Sequence, residues 1–364
     1  MEYKKFTTLF TDVTKTGTKI PKDEYLTTGK NIIIDQGKDS IAGYTDRQKG
    51  IFEEVPVIVF GDHTRIVKYI DKPFFLGADG VKVLKSKEKD SNYKYLYYAL
   101  KAAHIPNTGY NRHFKWLKQI NINYPDLNEQ KNIVDILESL TRIIKVRQKE
   151  LAFFDKLIKA RFVEMFGDPV INSKNLELST LANLGMLGRG RSKHRPRNDP
   201  KLLGGKYPLI QTGEISQSGL YIRNFSNTYS ELGLKQSKLW PKDTLCITIA
   251  ANIASTSILT FNACFPDSVV GFISNEDKVK PVFLHYWFSF FQNIIESQAT
   301  QVAQKNINLK VLSNLSVIHP PLSLQNEFAD FVRQVDKSKF EIIVYLNKTL
   351  LNKILSQIGD VIRD

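Results

Sequence analysis

Pro125-Asp126-Leu127-Asn128-Glu129-Gln130 returns 195 residues later as Pro320-Pro321-Leu322-Ser323-Leu324-Gln325, and each copy opens a long helical pattern. A second correspondence lies upstream at an offset of 188: Val57-Ile58-Val59-Phe60 matches Leu245-Cys246-Ile247-Thr248, and Asp79 matches Asp267. The halves therefore differ by about one seven-residue insertion. Within each half a β-rich globule precedes one long helix, which predicts four segments: 1–124, 125–170, 171–318 and 319–364. A two-part molecule suits a two-part target.

The first helix is expected to start near Leu127, where a proline just upstream suits a helix entry and Asp126 or Asn128 can accept from exposed amides. Apolar residues then alternate at spacings of four and three: Ile133, Leu137, Leu140, Ile144, and, past Arg147, Leu151, Phe154, Ile158 and Met165. This is a coiled-coil type of seam that ends at Gly167-Asp168-Pro169. The second helix, from Leu322, carries Leu324, Phe328, Phe331, Val335, Ile343, Leu346, Leu350, Ile354, Ile358 and Val361, with a phase slip between Val335 and Ile343 of the kind a stutter produces. Each helix of about 38 residues would extend roughly 57 Å. Neither can bury its seam alone, so an antiparallel pair is the expected arrangement.

The globules read as mixed α/β, of the α+β kind. Strands are expected at 31–35, 55–60 and 80–84 in the first, and at 207–211, 244–249, 257–261 and 269–273 in the second. An aromatic helical stretch follows in each, 93–102 and 283–291, aligned at the same 188 offset.

The formal charge is +14 over 364 residues. Residues 1–124 hold 21 Lys and Arg against 14 Asp and Glu, and residues 171–318 hold 16 against 9, an excess of 7 in each. The helical segments are neutral. Two equally basic globules on a neutral frame fit two polyanion-binding heads. No apolar run approaches the length of a bilayer span and no signal-peptide pattern opens the chain, so a cytoplasmic protein without membrane contact is expected. Cys246 and Cys264 lie in apolar strands without neighbours at metal spacing and read as buried thiols.

The densest charge lies in Arg189-Gly190-Arg191-Ser192-Lys193-His194-Arg195-Pro196-Arg197-Asn198, whose Gly and Pro argue for a loop able to follow a groove. Arg189, Arg191, Lys193, His194, Arg195 and Arg197 are accordingly candidate DNA contacts, since Arg can pair bidentately with guanine or phosphate. Tyr110-Asn111-Arg112 and Lys305-Asn306 precede the matched helix entries and join them, as do Lys38, Arg47, Lys49 and Arg65 in the first globule. No phosphate-binding Gly-x-x-x-x-Gly-Lys-Ser/Thr loop occurs, and Pro320-Pro321, flanked by His319 and Leu322, does not form the Asn/Asp-Pro-Pro-aromatic signature of amino-methyltransferases. The six histidines are scattered without metal-ligand spacing. The chain reads as binding, with no catalytic or metal residues.

The duplicated Pro-x-Leu-x-x-Gln joints, together with the stretch from Leu151 to Asp168, resemble the specificity subunit of type I restriction-modification enzymes, over nearly the whole chain. The resemblance implies two target-recognition domains, each reading one half of a bipartite asymmetric site in double-stranded DNA. It implies an antiparallel helix pair that sets the spacer and docks two methyltransferase subunits, with two motor-nuclease subunits beyond. S-adenosylmethionine, ATP and Mg²⁺ would then belong to those partners and none to this chain. Its departures are His319 before the prolines, Leu324 in place of Glu129, and the less regular second seam. The competing readings are a specificity module of another DNA methyltransferase assembly, a self-sufficient nuclease or methyltransferase, and a coiled-coil adaptor without nucleic-acid contacts.

Overall fold

Each repeated joint is closed by its glutamine. Gln130 and Gln325 are fully buried, and a buried amide needs partners at both ends. Gln130 Nε2 donates to the Pro125 carbonyl at 2.8 Å while its Oε1 accepts from the Asn92 N–H at 3.4 Å. Gln325 repeats the pattern with the Pro320 carbonyl at 2.8 Å and the Lys280 N–H at 2.9 Å, and adds the Lys278 carbonyl at 3.1 Å. Asn92 and Lys280 stand immediately before the aromatic helices Tyr93–Ala102 and Pro281–Phe288. The glutamine thus ties the entry of each long helix to the entry of the aromatic helix before it, a physical reason for the motif to recur.

The fold is that of a computed structural model, which describes residues 3–77, 79–250, 253–290, 307–346 and 362–363. The chain divides into two units, Met1–Lys149 with Ile342–Asp364, and Glu150–Glu341. Unit 1 contains β1 (Tyr3–Lys5), β2 (Phe10–Asp12), β3 (Asn31–Ile34), β4 (Gly43–Thr45), β5 (Val57–Gly61), β6 (Val67–Ile70), β7 (Phe74–Leu76), β8 (Val81–Ser86) and β9 (Asn121–Asn123). Antiparallel pairing gives a sheet of order β2-β8-β5-β6, and β3 joins β4 and β7 in a second sheet. β5 is buried on both faces, and alternation divides it. Ile58 and Phe60 pack on Tyr95, Leu96 and Leu100 of the aromatic helix, while Val57 and Val59 pack on Ile34, Phe74 and Leu76 of the second sheet.

Unit 2 repeats this layering. Its strands are β10 (Leu178–Thr180), β11 (Gly185–Arg189), β12 (Leu203–Leu209), β13 (Tyr221–Ile222), β14 (Asn227–Tyr229), β15 (Leu239–Trp240), β16 (Leu245–Thr248), β17 (Thr256–Leu259), β18 (Ala263–Cys264), β19 (Val269–Ser274) and β20 (Ser316–Ile318). The orders are β11-β19-β16-β17-β13 and β14-β12-β18-β15. Leu245 and Ile247 of β16 meet the aromatic helix through Phe283, Leu284 and Trp287, and Cys246 faces Trp240 and Phe265 on the other side. Both cysteines are buried and unbridged, and burial pushes their thiols up. A short pair closes each globule at the helix entry, β1 on β9 and β10 on β20, and β21 (Ile362–Arg363) adds to β9.

The first long helix spans Leu127–Phe166. Asp126 Oδ1 accepts from the N–H groups of Asn128 and Glu129, both at 2.9 Å, and Gly167 at φ +77° ends the helix with its N–H on the Val163 carbonyl. The second is described over Leu322–Tyr345. In unit 2 the two run antiparallel: Asp155 pairs with Lys339 at 2.6 Å and Arg161 with Glu327 at 2.8 Å. Leu137 and Ile158 are buried, and Ile133, Leu140, Ile144, Leu151 and Phe154 half-buried; Ile133 packs on the globule core of unit 1, and Phe154 and Ile158 join the core of unit 2 with Phe328 and Val335 of the second helix.

Three details differ from the sequence reading. Phe162 and Phe166, absent from the expected seam, are fully buried and join Phe283 and Phe328 in an aromatic cluster, because the helix end serves unit 2's core as well as its partner helix. Among the described residues no stutter interrupts the second helix: Phe328, Val332, Val335, Lys339, Ile342 and Leu346 keep the spacing of four and three, each buried or half-buried, with Lys339 filling a seam position through its pair with Asp155. Ile343 is consequently exposed, and Phe331 is half-buried beside the stripe. Leu350, Ile354, Ile358 and Val361 lie outside the described residues.

Candidate nucleic-acid interface

The sheet registers place the two globules' first core strands in equivalent positions. Phe10 faces Ser86, Gly185 faces Ser274, and Ser86 and Ser274 are themselves 188 residues apart. The segment leaving β2, Thr14–Lys19, therefore stands where Arg189–His194 stands after β11. Each segment runs to the same corner, where an aspartate waits: Asp79 before β8 and Asp267 before β19.

In unit 1, Lys19 Nζ pairs with Asp79 Oδ1 at 2.6 Å, and Lys82 Nζ lies 3.3 Å from Asp12 Oδ2. The hydrogen bond from Lys19, and its charge, hold the Asp79 carboxyl below the usual range. Burial works against ionisation at Asp12, but hydrogen bonds from the Thr14 hydroxyl and N–H, with Lys82 nearby, outweigh it and lower that carboxyl too. These groups line a cleft of ≈ 520 Å³ that also takes Lys15, Asp62 and Arg112. Asp62 is buried and fixes the cleft's rear wall, its Oδ1 accepting from the Phe114 N–H at 2.8 Å.

In unit 2 the basic segment begins at the end of a strand, because Arg189 closes β11. Gly190 follows where a Cβ would come within 2.2 Å of the Pro266 carbonyl, so only glycine lets the chain pass so close to the Asp267 corner. Arg189 Nε donates to the Asp267 carbonyl. Arg197 Nη2 donates to Asp267 Oδ1 at 2.6 Å, and Arg195 Nη2 lies 3.6 Å from Oδ2. Arg195 Nη1 also donates to the carbonyls of Ser192 and His194, at 2.6 and 2.9 Å. His194 Nε2 lies 2.9 Å from Asp199 Oδ2, whose carboxyl is lowered by the Lys201 N–H and by His194. Arg191 and Lys193 are exposed without a side-chain partner among the described residues. A cleft of ≈ 420 Å³ opens beside the loop, lined by Ser192, Arg197, Asn198, Gln211, Asn227 and Tyr229 among others.

The structure sorts the remaining candidates by what they already hold. Arg65, at φ +61°, is half-buried and donates to the Ile105 carbonyl at 3.1 Å, which makes it a tie between two loops. Asn111 donates its amide to the Thr108 carbonyl and shapes its own turn. Arg47 is exposed and paired with Glu24 at 2.6 Å, whereas Lys38 and Lys49 are simply exposed. Tyr110 is 88% exposed and stacks on His63 with ring centroids 4.7 Å apart. Lys305 and Asn306 lie outside the described residues. Lys15, Lys19 and Lys82 escaped the sequence reading, since none sits in a charge run. The 188-residue match of Asp79 with Asp267 was their one sequence signal.

Among the described residues, no group of His, Cys, Asp and Glu is placed to hold a metal, and no helix is long and apolar enough to cross a membrane. The model of the type I restriction modification DNA specificity domain matches residues 2–152 and again 173–354. The MjaX specificity subunit of Methanocaldococcus jannaschii, named for a type I restriction enzyme, is 24% identical over 257 residues, covering 66% of this chain and 59% of that protein. The EcoR124I/EcoR124II specificity subunit of Escherichia coli is 21% identical over 324 residues, 84% of this chain and 79% of the relative. The fold is similar to that of the S subunit of a type I system from M. genitalium, with a TM-score of 0.61 at 17% identity over 100% of this chain and 96% of that one. A further structure, from work on assembly and conformational transition of a type I system, gives 0.55 at 14% identity over 99% and 96%.

Proposed function

The chain belongs to the family of type I restriction-modification DNA specificity domains, and from that premise we propose that residues 1–124 and 171–318 are two readers, each recognising one half of a bipartite, asymmetric site in double-stranded DNA. The observation that carries this reading is the duplicated corner: two basic segments, in equivalent positions after equivalent strands, each directed to a carboxylate beside a polar cleft. Cations such as Lys15, Lys193 and Arg191 anchor the readers to phosphates without sequence preference, and side chains at the clefts impose the sequence. The chain performs no chemistry of its own. Methyltransferase and motor-nuclease subunits, two of each, supply S-adenosylmethionine, ATP and Mg²⁺ chemistry in the cytoplasm.

The long helices 125–170 and 319–364 dock the methyltransferase subunits and set the spacer between half-sites. Support for a spacer role comes from the helix Leu127–Phe166, which at 40 residues extends roughly 60 Å. The test is duplex binding by the full chain with its partners over a salt series. A reader pair loses affinity linearly in log salt, by roughly 0.9 per phosphate neutralised. Affinity independent of salt would support the adaptor reading instead. Removing one turn from both helices is then expected to change the tolerated spacer and leave both half-site sequences intact.

A further inference from the structure

At the Asp267 corner of unit 2 the arginines are not equivalent. Arg195 is spent on the loop itself, since its Nη1 serves two backbone carbonyls. Arg189 gives its Nε to the backbone carbonyl of Asp267, not to the carboxylate. Arg197 differs: its Nη2 donates to Asp267 Oδ1 at 2.6 Å, no other partner of its guanidinium exists among the described residues, and its side chain is 48% exposed at the mouth of the cleft. The cleft also contains a polar group waiting for a partner. Ser192, one of the residues lining it, is 6% exposed, and its buried Oγ has none. Gln236 Nε2 is likewise buried without one, while its Oε1 holds the loop through the N–H groups of Lys193 and His194, at 2.7 and 3.1 Å.

A carboxylate that binds one side of a guanidinium fixes the plane of the fork and leaves its other N–H groups for a second acceptor pair. The edge of guanine, with O6 and N7 side by side in the major groove, is the base edge that fits such a fork. Resting on the reading of unit 2 as a DNA reader, we propose that Arg197 reads a guanine in that unit's half-site and that Asp267 is the positioning residue that orients it. Unit 1 supplies the contrast. Asp79 holds Lys19, a point charge without a fork, in the equivalent corner. Replacing Asp79 therefore leaves the unit 2 guanine untouched.

The test selects binding sequences from a pool of randomised duplex DNA, using the full chain with its methyltransferase partner, as wild type, R197K, R197A, D267N and D79N. Salt slopes on one fixed duplex and melting curves accompany each selection. The wild type is expected to select an invariant G·C pair in one half-site. R197K should lose discrimination at that one position by roughly 5- to 160-fold with its salt slope unchanged, the equivalent of one bidentate pair. D267N should lose part of it at the same position, and D79N none. If R197K and R197A keep every base preference and R197A only lowers the salt slope by about one, Arg197 is a phosphate contact and the proposal is overturned. If the wild type selects no half-site, the reader assignment itself fails, and that result precedes any substitution. Should D267N not fold, the exposed R197K variant decides alone.

Discussion

Unit 1 brings four cations, Lys15, Lys19, Lys82 and Arg112, to a cleft from segments as far apart as 97 residues, whereas unit 2 collects its arginines from one loop of nine. Both clefts sit beside an aspartate that precedes an equivalent core strand, β8 in unit 1 and β19 in unit 2. The difference shows that the repeat preserves a location and leaves its chemistry free: the layered sheets and glutamine-locked joints keep the corner in place, and the segment leaving the first core strand decides what stands there. A scaffold of this kind can change the side chains at that corner without changing how it folds.

The comparison can be broken hardest in the core. Phe162 touches Phe166, Phe283, Phe290 and Phe328 in unit 2, so Phe162→Ala is expected to cost about 3–5 kcal/mol. Denaturation monitored in each unit separately should show the loss in unit 2. An equal loss in both would mean that the aromatic cluster is not local to unit 2.

Acid separates the units next. Burial, with Lys339 nearby, pushes the His285 imidazole down from 6.5 to about 4, and its Nδ1 lies 3.0 Å from the Thr256 hydroxyl. At the matching position unit 1 has Tyr97. The folded state favours neutral His285, so this contribution is complete above pH 6.5 and is lost as pH falls through about 4. Its size is about 3 kcal/mol. Denaturant midpoints across that range should fall in unit 2, and His285→Gln should flatten the limb. An unchanged slope in the variant would rule this histidine out as the source.

The joints should differ by less. Removing a buried glutamine leaves backbone groups without partners at a cost of about 1–3 kcal/mol. Gln325 makes three hydrogen bonds and Gln130 two, one of them at 3.4 Å. Gln325→Ala is thus expected to destabilise more than Gln130→Ala, as read by thermal melting. Equal losses would show that the extra bond to Lys278 contributes nothing.

The repeat, the first long helix, all seven expected strands and the aromatic helices were legible because each is an apolar pattern or a local motif. β2 and β11 were not: Phe-Thr-Asp and Gly-Met-Leu-Gly-Arg are too short and mixed to carry a period, and only pairing with β8 and β19 makes them strands. The second helix misled because a charged residue, Lys339, occupies a seam position that hydrophobicity alone leaves empty. At the site, charge density found the unit 2 loop but could not separate Arg197 from Arg195, since side-chain type does not reveal which guanidinium is spent on backbone carbonyls. The unit 1 cleft is a tertiary assembly, and no window of sequence contains it.

The proposed independent reading by the two units is tested most directly by exchanging residues 171–318 for the matching domain of a relative and mapping methylated bases across the host genome. The account predicts that one half of the modified site changes while the other half keeps its sequence. A change in both halves, or in neither, would contradict it.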